Sequence, residues 1–222
     1  MFKNMMTLAW RNALRQKQFT LINLFGLTLG IAACLMISLY VYDELNYDKF
    51  HTKADRIYRV NQPSIWGDWD EMIASTGPNV ATALREEVPE FEEVTRVMQV
   101  GSLVVTPNQK QTIFKEDRIF GAEENFFKLF DFTLLHGSAE TAFSQPNSIV
   151  LTEETAKRYF GDEVDFTGLM DQSIEVKEWD GNWKPFKIVG ILKDIPEQSH
   201  LQFDMLASMS GYQNQMDNHG WK

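Results

Sequence analysis

From Phe19 to Tyr42 the chain runs twenty-four residues without a charge, FTLINLFGLTLGIAACLMISLYVY. A helix rises about 1.5 Å per residue, so this run reaches roughly 36 Å, more than the roughly 30 Å of a bilayer's hydrocarbon core. The pattern predicts a transmembrane helix over 19–42. Before it, Phe2, Met5, Met6, Ala9 and Ala13 share one helical face, while Lys3, Thr7, Arg11 and Arg15 recur on another. Residues 1–18 therefore read as a cytoplasmic segment whose short amphipathic helix lies on the membrane surface.

After Tyr42 the apolar residues come in short runs. Residues 47–59, YDKFHTKADRIYR, read as a polar link, and 56–62 as a first strand. Residues 63–75 read as a loop or a twisted hairpin. Thr76-Gly77-Pro78 opens a helix in which Val80, Leu84 and Val88 recur at i+4, and Pro89 stops it. Residues 94–105 read as two strands broken at Gly101. Residues 112–114 and 118–121 read as strands around a Lys115-Glu116-Asp117 turn, and ENFFKLF over 124–130 as a short amphipathic helix. Ser148–Leu151 is a strand leading to Thr152, an N-cap, then EETAKRYF and a terminal Gly161. Strands follow at 174–176, 186–192 and 201–206. Short strands alternating with isolated helices predict an α+β fold: one transmembrane helix, then a mixed core domain over 43–222.

Charge sets the orientation. All 31 acidic residues lie beyond residue 42 with 17 of the 21 basic ones, a formal charge of −14 against +4 for the first 42 residues. Basic flanks stay cytoplasmic, which places the N-terminus on the cytoplasmic side of the membrane and the core domain outside. So acidic an exported domain is a poor partner for nucleic acid. The one cysteine, Cys34, lies within the apolar run, so disulfides do not hold the domain together. Ile31-Ala32-Ala33-Cys34 resembles a lipobox, but the chain stays apolar for eight residues after it, where a mature lipoprotein has a polar spacer. A cleaved signal peptide fits less well, since the apolar run is too long. An uncleaved helix is favoured over both.

Candidate chemistry is sparse. The chain carries no GxSxG elbow, no HExxH helix and no GxxxxGK[ST] loop, so catalytic, cofactor-binding and metal roles are assigned to no residue. Asp48, His51 and Asp55 have metal-ligand chemistry, but Lys49 and Lys53 stand between them, and a solvated link is the simpler reading. Asp68, Asp70 and Glu71 lack the spaced ligands of a calcium loop. Glu86, Glu87, Glu92 and Glu93 read as solvated faces, and His200 as a capping or packing residue. Gly26 and Gly30 form a GxxxG pair that lets a second helix approach closely in lipid. Trp66, Trp69, Trp179 and Trp183 stand beside acids and glycines in two loops. They are the candidates for a partner-facing surface, with packing in the core or as hairpin pairs as the alternative.

The order of the pieces LAWRNALRQK, FTLINLFGLTLGIAACLMI, YDKFHTKADRIYRV, SIVLTEETAKRYFGD and FKIVGILKDIPEQSHLQFDMLAS resembles the N-terminal part of bacterial ABC-transporter permeases of the MacB/FtsX type, especially the large form common in Bacteroidetes. The resemblance implies a first transmembrane helix, a periplasmic core domain and three further helices. It also implies a homodimer or paired permease, a cytoplasmic ATPase subunit as partner, and a periplasmic adaptor or substrate. It implies motion relayed outward for export or mechanotransmission, with no cofactor in this subunit. The sequence stops at Lys222 without a second apolar run, which reads as a fragment of such a permease. The alternative from another class is a stand-alone envelope binding domain, anchored by the helix or lipidated at Cys34. An anchored hydrolase has no supporting motif.

Overall fold

The computed structural model describes residues 2–63, 72–107, 113–177 and 182–211. It divides into two compact units, Met1–Tyr47 and Asp48–Lys222.

The first unit is helical. Helix α1 spans Phe2–Arg15 and α2 spans Lys17–Glu44. They are separated at Gln16, whose ψ of 58° leaves the helical region, and the Thr20 hydroxyl donates across the break to the Ala13 carbonyl at 3.1 Å. At 28 residues, α2 is about 42 Å long. Among the described residues it is the one helix long and apolar enough to cross a membrane. None of its residues is buried, and Cys34 lies mid-helix.

The second unit is built on strands β3 (Val97–Pro107), β4 (Phe114–Ala122), β5 (Leu134–Gly137), β6 (Ser148–Thr152), β7 (Ser173–Lys177), β8 (Trp183–Leu192) and β9 (Met205–Ser208). Among the described residues they run in the order β5-β8-β6-β9-β4-β3-β7, and β7 also pairs with β8. Six strands therefore close into a ring, with β5 added to the far half of β8. The β6–β8 and β4–β9 pairs are parallel and the others antiparallel. All six ring strands feed one apolar cluster, including Val100, Ile119, Ile149, Leu151, Ile174, Phe186, Ile188 and Met205. Helices α5 (Glu153–Phe160) and α6 (Phe166–Leu169) add Ala156, Tyr159 and Leu169. Alternate positions of the same strands, Val150, Leu206 and Leu192, face a second cluster with Phe126, Phe132, Phe143 and Phe203. Helix α4 (Phe126–Leu129) supplies the first of these. The mixed helix–strand class expected from the sequence holds.

Several local expectations change. The run 94–105 is not two strands: β3 is continuous, and Gly101 takes up register shifts on both sides as a bulge. Lys115-Glu116-Asp117 is not a turn. It lies inside β4 with Lys115 and Asp117 exposed and Glu116 buried, because Glu116 finds cationic and hydroxyl partners on α5. The strand expected at 56–62 is a 3-10 turn at Ala54–Arg56 and extended chain. Pairing begins only at β1 (Gln62–Pro63), which joins β2 (Met72–Ile73) as the base of the expected hairpin. The final strand begins at Met205, after a turn held by the Ser199 hydroxyl and the Leu201 amide. Helix α3 (Val80–Glu87) starts two residues after Pro78. Its Val80 and Leu84, with Val88 just beyond, are half-buried and Ala81 is buried. Helix α6, capped by Asp165 onto the Thr167 amide, was not anticipated.

Candidate functional site

The residues directly after Tyr47 are fastened to the core domain at two points. Asp48 adopts φ +55°, a left-handed conformation that aspartate tolerates better than most residues. Its amide donates to the Gln198 carbonyl at 2.8 Å. Its carboxylate receives the His200 amide at 3.0 Å and His200 Nδ1 at 2.6 Å. The second point is reciprocal in the same way. The Asp131 amide donates to His51 Nδ1 at 3.0 Å, while Asp131 Oδ2 accepts the Thr52 amide at 2.6 Å and the Thr52 hydroxyl at 2.9 Å. Five residues are thus tied to loops some 80 and 150 positions away.

His51 is 4% exposed. Its ring stands 4.0 Å from Phe50, 5.2 Å from Phe132 and 5.3 Å from Phe130, centroid to centroid. With Nδ1 accepting, the neutral ring carries its proton on Nε2. Burial pushes its pKa below the ordinary histidine value, against the opposing pull of Asp48 and Asp131. The link read as solvated is therefore docked, and the physical reason is this aromatic cage. The Asp48 and His200 side chains keep 35% and 60% exposure, so their contact contributes at most about 1 kcal/mol and its value is mainly geometric. Next along the chain, Arg56 pairs with Glu92 at 2.6 Å, both exposed.

A second polar cluster ties α5 to the ring. Glu116 Oε1 accepts the Tyr159 hydroxyl at 2.7 Å and Arg158 Nη2 at 2.8 Å. Burial first, and then Glu116, raises the Tyr159 pKa far above its usual range, so the hydroxyl is a fixed donor. Arg118 grips Asp204 with two hydrogen bonds, at 2.7 and 3.1 Å. Arg85 and Arg96 both pair with Glu123. These groups are turned to one another, which suits a fastening role. Among the described residues no three His, Cys, Asp or Glu side chains are grouped as metal ligands.

A Cβ placed on Gly26 or Gly30 would meet nothing within 4 Å, so both open onto the free surface of α2. Trp183 begins β8, pairs with Lys177 and is 42% exposed. Trp66, Trp69 and Trp179 lie outside the described residues. Sequence reasoning missed the Asp48–Thr52 fastening. The available signal was a histidine beside Phe50 in a link otherwise charged, with Phe130-Asp131-Phe132 as its complement.

The fold and the chain have relatives. A domain of a protein described as a permease, from Porphyromonas gingivalis, superposes with a TM-score of 0.52 at 22% identity, covering 63% of this chain and 60% of that one. The periplasmic region of MacB from Actinobacillus actinomycetemcomitans matches at 0.44 and 15% identity, over 77% of this chain and 66% of that one. The extracellular domain of the noncanonic ABC-type transporter YknZ from Gram-positive bacteria matches at 0.41 and 12%, over 60% and 62%. The chain thus spans about 60% of the length of the first of these structures. No curated protein matches. The model of the MacB-like periplasmic core domain matches residues 20–222, nearly the whole chain, and the protein therefore belongs to that family.

Proposed function

We propose that the chain is the N-terminal part of an ABC-transporter permease subunit of the inner membrane. In this reading 1–18 is the cytoplasmic amphipathic segment, 19–42 the transmembrane helix and 43–222 the periplasmic core domain. Motion driven by a cytoplasmic ATPase, engaged through the remainder of the permease, passes along the helix to the core domain and on to a substrate or periplasmic adaptor. The subunit works as a homodimer or paired permease, with Gly26 and Gly30 packing the helix against others and the loops of Trp66, Trp69, Trp179 and Trp183 facing the partner. The basic side of α1, with Lys3, Arg11 and Arg15, suits anionic lipid headgroups at the inner leaflet.

The observation that carries this reading is the double fastening of Asp48–Thr52. A chain that only anchored a domain would do as well with a loose tether. A chain that transmits displacement needs its first domain residues held without slack. The test is the intact permease co-expressed with its ATPase. Replacing Asp48 and His51 together by Ala is expected to leave ATPase binding intact while reducing transport at least tenfold. Undiminished transport by a properly folded double variant would sink the reading.

A further inference from the structure

The two fastenings differ in their response to acid. His200 donates to the Asp48 carboxylate from Nδ1, and it does so whether its ring is neutral in that tautomer or doubly protonated. His51 accepts at Nδ1 from the Asp131 amide, and a proton placed there sets two N–H groups head to head at 3.0 Å. We propose that His51 is a proton-operated latch: acid outside the membrane opens its contact with Asp131 while Asp48–His200 holds, so the segment hinges about Asp48.

The surroundings of His51 are consistent with this. The rings of Phe50, Phe130 and Phe132 surround it. The carboxylates that act on it are Asp48, held by His200, and Asp131, held by Thr52. Lys53 and Lys128 stand at the edge, the Lys53 ammonium on the Lys128 carbonyl at 3.5 Å. Burial lowers the proton affinity of the ring in the closed state below the ordinary 6.5. The sign follows. The open state binds the proton more tightly, so the closed state is fully favoured above about pH 6.5 and is lost as pH falls below it. Once opening is proton-driven, it gains about tenfold per pH unit.

That this latch sets transport by pH rests on the permease reading; the opening itself does not. The test is hydrogen exchange by mass spectrometry on the full chain in nanodiscs between pH 7.5 and 5.0, corrected for intrinsic exchange rates. Peptides over 48–56 and 128–133 are expected to lose protection about tenfold per pH unit as pH falls below about 6.5, while β6 and β8 stay protected. His51→Asn keeps an acceptor at the Nδ1 position and cannot take the proton, so its protection should not vary with pH. Should His51→Asn be open at every pH, imidazole nitrogen NMR of the unmodified chain decides instead. Nδ1 should be unprotonated at pH 7.5 and titrate below about pH 6.5, within the range over which protection falls. Protection unchanged to pH 5.0, the same acid loss in a protected His51→Asn, or an NMR midpoint elsewhere would overturn the latch. Opening as expected together with pH-insensitive transport would count against the permease reading and leave the latch standing.

Discussion

Gly137 and Gly161 both take a positive φ and differ in surroundings. Their φ values are +93° and +96°. At Gly161 an added Cβ meets nothing within 4 Å, whereas at Gly137 it runs into the Val189 carbonyl oxygen and comes within 2.9 Å of Gly190 Cα. Gly161→Ala is expected to cost about 2 kcal/mol, the conformational penalty alone. Gly137→Ala should cost about 4 kcal/mol, since backbone atoms of β8 cannot swing aside. Urea midpoints of the two variants compare them directly, and equal shifts would show that the β5–β8 contact yields. Gly161 was legible in the sequence because it ends a helix whose every signal is local. Gly137 was not, because its need comes from residues 189–190, fifty positions later. Glu116 teaches the same lesson. Its charge is tolerable inside only with Arg158 and Tyr159, so Glu116→Ala should destabilise by about 3 kcal/mol by leaving both partners without their acceptor. Tyr159→Phe, which removes one donor, should cost about 1 kcal/mol by thermal melting.

Among the elements, β6 with α5 was the most legible unit. All five residues of Ser148–Thr152 are buried, Thr152 caps the helix onto the Thr155 amide, and Glu153 and Lys157 pair at 2.6 Å across one turn. Each of these signals spans five residues or fewer. Thr152→Ala is expected to lose about 1 kcal/mol, with α5 exchanging amide hydrogens faster than β6. β3 and β4 were read in fragments because their irregularities, a bulge at Gly101 and a buried acid at 116, look locally like turns. The docked link was misread for the same reason, its charges being visible and its aromatic cage not. In α2 the open surface at Gly26 and Gly30 makes a prediction of its own. Gly26→Leu should weaken helix association in the intact permease, scored by cross-linked dimer yield, and an unchanged yield would remove these glycines from the packing face.

For the whole molecule, the α+β class was legible from alternating short runs, but ring closure was not. β7 pairs with β8, the next strand in sequence, but also with β3 some 70 residues earlier, and that second pairing is a long-range fact with no periodic trace. The order of the strands has a consequence in time. β9 holds a central place between β4 and β6, yet it is the last strand among the described residues, and Ile119 meets Met205 only across 86 residues. While the polypeptide is still being threaded across the membrane, β4 and β6 each lack a neighbour. The sheet cannot close until residue 208 has emerged. Such open edges invite pairing with other chains, and distant contacts form slowly. On the proposed reading the domain is therefore most open to aggregation and proteolysis in the interval before β9 arrives.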